Sequence, residues 1–240
     1  MQRGFPSAAG VFRRAAITAV LAALLAPVAQ HAHAAAWAAQ RESRLLVLGD
    51  SLTSGFGLGA EEAFPARLEA ALTRRGFAVK VLDGGVSGDT SAGGRERLDW
   101  ALGARPDAVI LELGGNDGLR GLDPKETYQN LAAIVKRLKE RNVPVLVAGM
   151  YAPPNLGPDY GKEFKAVFPR LAERFGVPLY PFFLEGVAAD PDLNQKDGLH
   201  PNGRGVEVIV ERMLPFVERL VLQARSRNAP VDEHRKDPSP

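Results

Sequence analysis

The chain has 240 residues, 45% of them hydrophobic and 24% charged, with no cysteine and a formal charge of +2. Without cysteine, a thiol nucleophile, a cysteine-ligated zinc site and disulfide staples are all excluded. The basic excess rests on three N-terminal arginines, so it gives no support for nucleic-acid binding.

Residues 1–34 read as a cleaved signal peptide. Arg3, Arg13 and Arg14 form a positive start, residues 15–26 are apolar, and Ala32-His33-Ala34 offers a small-x-small cleavage site. The apolar run is too short to span a bilayer, so a membrane anchor is not expected. Removing the three arginines leaves 27 of the 30 basic residues against 28 acidic ones, a net charge of −1. The expected layout is a linker over 35–43, one domain over 44–224 and a solvated, disordered tail over 225–240, which is rich in charge, Pro and Ser. A periplasmic or secreted location follows from the leader.

Strand-like apolar runs recur at 44–48, 78–82, 108–113, 145–148 and 177–180. Helical spacing is expected over 61–75, closed by Gly76, and over 91–102 and 162–175. Another helix has Asp123 as its N-cap, Pro124 at its first position, and Leu131, Ile134, Val135 and Leu138 on one face. Val206, Ile209, Val210, Met213 and Leu214 mark a C-terminal helix that Pro215 is expected to kink or divide. Strands alternating with helices imply an α/β fold, with a parallel sheet covered on both faces. Right-handed crossovers bring the loops after the strands to one edge.

Three of those loops are unusual. They read Gly49-Asp50-Ser51-Leu52, Asp83-Gly84-Gly85-Val86-Ser87-Gly88-Asp89-Thr90 and Gly114-Gly115-Asn116-Asp117-Gly118. Downstream, Asp197-Gly198-Leu199-His200-Pro201 supplies an acid and an imidazole three residues apart. His31 and His33 lie in the leader and His234 in the tail, so His200 is the one candidate base of the expected domain. A serine activated by a histidine that a carboxylate orients is the logic of acyl transfer. With these four blocks in this order, the chain resembles the SGNH (GDSL) hydrolase family, in its thioesterase I/lysophospholipase/arylesterase branch.

That resemblance runs from about residue 44 to residue 220. It implies a flavodoxin-like three-layer αβα sandwich with a five-stranded parallel sheet and no metal or organic cofactor. It also implies a triad of Ser51, His200 and Asp197, with an oxyanion hole made by the backbone N–H groups of Ser51 and Gly88 and the side-chain amide of Asn116. Plainer readings stand beside these. Ser51 is also a good helix cap, and Asp197 a good turn cap. Asn116 suits a left-handed turn, and Gly84 and Gly85 read best as ordinary turn glycines. Asp50 is expected to brace the Ser51 loop, Asp117 to cap or turn, and Glu112 to be structural and in need of a partner.

An α/β-hydrolase elbow requires a second glycine where Thr53 stands. A metal-dependent phosphatase needs more histidines than this chain offers. The reading is a serine esterase or thioesterase acting on small-molecule or lipid acyl esters. Its acyl groove is expected from loops 118–122 and 151–160, with Leu119, Tyr151, Pro153 and Leu156 in contact with substrate. The alternatives are a carbohydrate O-acetyl esterase acting on envelope polysaccharide, and a non-catalytic binding module on the same fold.

Overall fold

A computed structural model describes residues 42–228; the leader, most of the linker and the end of the tail lie outside them. Five strands form one parallel sheet in the order β2-β1-β3-β4-β5. They are β1 (Ser43–Gly49), β2 (Val79–Gly85), β3 (Ala108–Glu112), β4 (Val145–Ala148) and β5 (Leu179–Tyr180). β1 and β3 are buried almost throughout, as strands with helices on both faces must be.

The helices are α1 (Ser51–Ser54), α2 (Phe64–Arg74), α3 (Ser91–Glu96), α4 (Leu98–Leu102), α5 (Gly115–Leu119), α6 (Pro124–Glu140), α7 (Pro158–Phe175) and α8 (Gly203–Asn228). α2 packs on α8, while α6 packs on α3 and α7, giving the two outer layers of the αβα sandwich. The apolar face expected of α6 is fully buried, and Asp123 caps that helix by accepting from the Lys125 N–H at 2.8 Å. The strand order reverses between β1 and β3, which places the crevice for a ligand at their carboxyl ends.

Four expectations change. α8 is not divided at Pro215 but continues to Asn228. A mid-helix proline costs about 3 kcal/mol, but Val217, Leu220, Val221 and Ala224 beyond it are all buried, and each large side chain returns roughly 1.5–3 kcal/mol. Residue 225, the expected start of the tail, lies inside this helix: Arg225 is helical and donates to the Ala78 carbonyl at 2.7 Å and the Ser43 hydroxyl at 3.1 Å. The single helix expected over 91–102 is two short ones, separated at Arg97, whose side chain turns back to Asp89 and the Gly49 carbonyl. Finally, Gly84 and Gly85 are not turn residues but the end of β2, paired with Leu48 and Gly49. A Cβ on Gly84 would lie 2.7 Å from the Val47 carbonyl oxygen, and one on Gly85 2.6 Å from the Ser54 nitrogen. Glycine is required there by close approach of β1 and α1.

Candidate active site

Ser51 is the first residue of α1, immediately past β1. The cap is its neighbour: Asp50 Oδ1 accepts from the Leu52 N–H at 3.0 Å. Ser51 is thus relieved of capping, and its hydroxyl faces the imidazole, with His200 Nε2 2.9 Å from Ser51 Oγ. On the other side of the ring, His200 Nδ1 lies 2.6 Å from Asp197 Oδ2.

Asp197 is fixed from within its own loop. Its Oδ1 accepts from the backbone N–H groups of Leu199 and His200, both at 3.0 Å. Those bonds, with the His200 side chain, pull its pKa down from 3.8 to about 2, so it is an anion at neutral pH. An anionic acceptor at Nδ1 assigns the ring proton to that nitrogen and leaves Nε2 to accept from the serine hydroxyl.

Gly88 and Asn116 both line the cavity described below. Gly88 has φ +83, a conformation side-chain-bearing residues rarely adopt, and its carbonyl accepts from Arg120 at 2.9 Å. Asn116 belongs to α5, and the left-handed residue of that turn is Gly114, with φ +114. Its amide nitrogen donates to the Asp89 carbonyl at 2.9 Å and to Asp50 Oδ2 at 3.1 Å. Asp117 is a buried clasp for α3 and α6, accepting from the Ser91 N–H at 2.8 Å and the Thr127 hydroxyl at 3.1 Å.

Behind Ser51 lie two buried carboxyls. Burial pushes the Asp50 pKa up from 3.8 to about 6, against the pull of its hydrogen bonds to Leu52 and Asn116. Glu112 is fully buried, and desolvation, reinforced by the nearby Asp50 charge, raises its pKa well above 4.5. Its Oε2 accepts from the Asp50 N–H at 3.4 Å, while Oε1 has no hydrogen-bond partner among the described residues.

Ser51, Gly88, Asn116 and His200 open onto one cavity of about 430 Å³, a size that suits a small organic ligand. Leu119, Tyr151 and Pro153, which the sequence analysis places against substrate, line it. Leu156 does not; it sits in a short 3-10 turn, close to where a side chain on Gly121 would project. Several lining residues were not anticipated. Phe56 places its ring 4.7 Å from that of His200, tilted by 38°, and Phe182 lies flat on Tyr151 at 4.1 Å. Leu184, Ala188, Ala189 and Leu199 complete the apolar wall. The signal for the 182–189 segment was the apolar run Pro181-Phe182-Phe183-Leu184 just after β5, at the same sheet edge as the other loops. Among the described residues no three His, Cys, Asp or Glu side chains converge as a metal-binding group, and no helix is long and apolar enough to cross a membrane.

Residues 47–208 match the GDSL-like lipase/acylhydrolase family. An arylesterase of Vibrio mimicus is 41% identical over 175 residues, covering 72% of this chain and 88% of that one. The thioesterase 1/protease 1/lysophospholipase L1 of Escherichia coli K12 is 40% identical over 178 residues, covering 74% of this chain and 84% of that one. Among solved structures, the psychrotrophic esterase EstA of Pseudoalteromonas, inhibited by monoethylphosphonate, matches with a TM-score of 0.72 at 34% identity. That match covers 75% of this chain and all of the other.

Proposed function

The chain belongs to the GDSL-like lipase/acylhydrolase family and is a serine hydrolase acting on ester bonds; from that premise we propose that Ser51, His200 and Asp197 are its catalytic triad and that fatty or aryl acyl groups occupy the cavity beside them. The observation that carries this reading is the continuous relay from Asp197 through His200 to the Ser51 hydroxyl at 2.6 and 2.9 Å, at the mouth of an apolar cavity.

In this mechanism Ser51 Oγ bonds to the acyl carbon while its proton passes to His200 Nε2. The imidazolium that forms is stabilised by the Asp197 carboxylate, which stays ionised. The carbonyl oxygen, now an oxyanion, accepts from the Ser51 and Gly88 backbone N–H groups and from the Asn116 amide. His200 then delivers the proton to the leaving alcohol or thiol, and the C–O or C–S bond breaks. A water molecule, deprotonated by His200 in its turn, hydrolyses the acyl-enzyme and returns Ser51 to its starting state.

The apolar wall of Leu119, Tyr151, Phe182 and Leu184 supports acyl groups longer than acetyl, in keeping with the arylesterase and lysophospholipase names of the relatives. A panel of esters and thioesters of graded acyl length, with Ser51→Ala as the blank, tests this. Activity that falls steeply beyond acetyl would favour the carbohydrate O-acetyl esterase instead. A protein that binds such esters without turnover would be the binding module.

We propose further that residues 1–34 direct export and are removed. Residues 35–43 would then link to a hydrolase domain and the last residues would form a solvated tail. The order of positive, apolar and small-residue segments supports this.

A further inference from the structure

The loop that carries Asp197 and His200 closes on itself. Asn194 and Pro201 form an antiparallel bridge, the Gln195 N–H donates to the His200 carbonyl at 2.8 Å, and the Gly198 N–H to the Gln195 carbonyl at 3.0 Å. The acid–base geometry is therefore set locally. The spacing from imidazole to Ser51 is not, because the two residues are 149 positions apart and sit on separate segments.

One side chain bridges those segments. Gln195 Nε2 donates to the Pro201 carbonyl at 3.0 Å, just past His200, and to the Phe56 carbonyl at 2.7 Å, just past α1. Phe56 is itself tied to the nucleophile, its N–H donating to the Ser51 carbonyl at 3.2 Å, and its ring lies against the His200 imidazole. The backbone makes room for this crossing: Gly57 has φ +76, and a Cβ there would overlap Gln195 Oε1. An uncharged amide is the side chain that supplies two donors from one nitrogen without placing a charge beside the imidazole.

We propose that Gln195 is a positioning residue for ester hydrolysis, holding the Ser51–His200 spacing by clasping the carbonyls of Phe56 and Pro201 with one amide. The proposal rests on the assignment of Ser51 and His200 as nucleophile and base. Gln195 touches neither substrate nor the reacting atoms, and it does not line the cavity. Its loss is therefore expected to appear in kcat and not in KM.

The test is steady-state kinetics on Gln195→Met, which keeps the side chain's length and removes its donors, with Gln195→Ala as the second variant. Rates are taken per active site titrated to completion with an organophosphate. Both variants are expected to lose roughly 10- to 100-fold in kcat, the scale of a misplacement near 1 Å, with KM within about twofold of the parent. The rate constant for organophosphate labelling is expected to fall in parallel, because it reads the activation of the serine without an acyl group in the cavity. A kcat and labelling rate within twofold of the parent would overturn the proposal, whatever happens to melting temperature, and would make the amide a brace of the fold alone. Failure of the underlying assignment looks different, since Ser51→Ala would then still turn over or be labelled.

Discussion

The Asp50 carboxylate accepts from the side-chain amide of Asn116 at 3.1 Å across 66 positions of sequence, and the same aspartate caps the helix that Ser51 begins. The amide's other bond runs to the Asp89 carbonyl at 2.9 Å. Three segments that follow three different strands thus hold one amide in place before substrate arrives. A donor oriented in advance lowers the reorganisation needed when charge develops on the substrate. The longer bond, to Asp50, is the one an incoming oxyanion would have to share.

Asn116→Ala is accordingly expected to lower kcat by roughly 10²–10³, about 3–4 kcal/mol, as loss of one side-chain oxyanion donor does elsewhere. KM should move little, since the bond strengthens only in the transition state. Alanine fits the local backbone, because Asn116 is not at positive φ. Measuring kcat and melting temperature on the same preparation decides the point: a destabilised but fully active variant would transfer the role to other donors.

Ser51→Ala should abolish labelling by a serine-directed organophosphate and reduce turnover by roughly 10⁶-fold, while Asp197→Asn should cost roughly 10⁴-fold. In the proposed mechanism the difference arises because Asp197 orients His200 and does not form a bond to substrate. Mass spectrometry of the labelled protein locates the adduct, and an adduct on a serine other than Ser51 would sink the assignment.

Much of this was legible in the sequence, for definable reasons. The strands β1, β3 and β4 are continuous apolar runs, and Asp197 and His200 are close in sequence, so local patterning marked both the sheet and the hydrogen-bonded Asp197–His200 pair. Contacts set by tertiary packing were not legible. Gly84 and Gly85 looked like turn residues because the approach of Val47 and Ser54 to them is invisible before the sheet forms. Phe56 and Gln195 carry no motif, and their meeting depends on two loops 139 positions apart. Leu156 had the right character for the groove, but its side chain lies beside Gly121 and does not line the cavity.

Export makes a separate prediction about the chain's start. The mature protein should begin at or near Ala35 and be recovered outside the cytoplasm of an exporting host. Intact-mass measurement reads this directly, and recovery of protein beginning at Met1 from that host would reverse it.

Tyr151 provides a test of the acyl site. Its ring is sandwiched between Phe182 at 4.1 Å and the Lys165 ammonium at 4.5 Å, and it lines the cavity. Tyr151→Ala removes a large apolar contact, so KM for long-chain esters should rise roughly tenfold, the lower end of what burying such a side chain is worth. Acetyl esters should be nearly unaffected. Equal losses for short and long chains would place the acyl group elsewhere.

Three carboxyls, Asp50 and Glu112 buried and Asp197 largely exposed, contribute to the pH dependence of stability. Asp50 holds its proton more tightly folded than unfolded, so between pH 3.8 and about 6 its contribution falls as pH rises, and it is level above that. Asp197 acts in the opposite sense: its stabilisation is present above pH 3.8 and is lost as pH falls towards 2. Glu112 behaves like Asp50, its contribution declining as pH rises above 4.5 for as long as the folded state keeps the proton. Glutamine at 112 reproduces the neutral acid and still offers an oxygen to the Asp50 N–H, but it does not titrate. The stability of Glu112→Gln relative to the parent should therefore increase with pH above 4.5, by up to about 1.4 kcal/mol per pH unit. Urea unfolding of both proteins at pH 5 and pH 8 measures this. A difference between them that is the same at both values would mean that Glu112 ionises normally in the folded protein, and that the buried pair behind Ser51 carries two negative charges at pH 8.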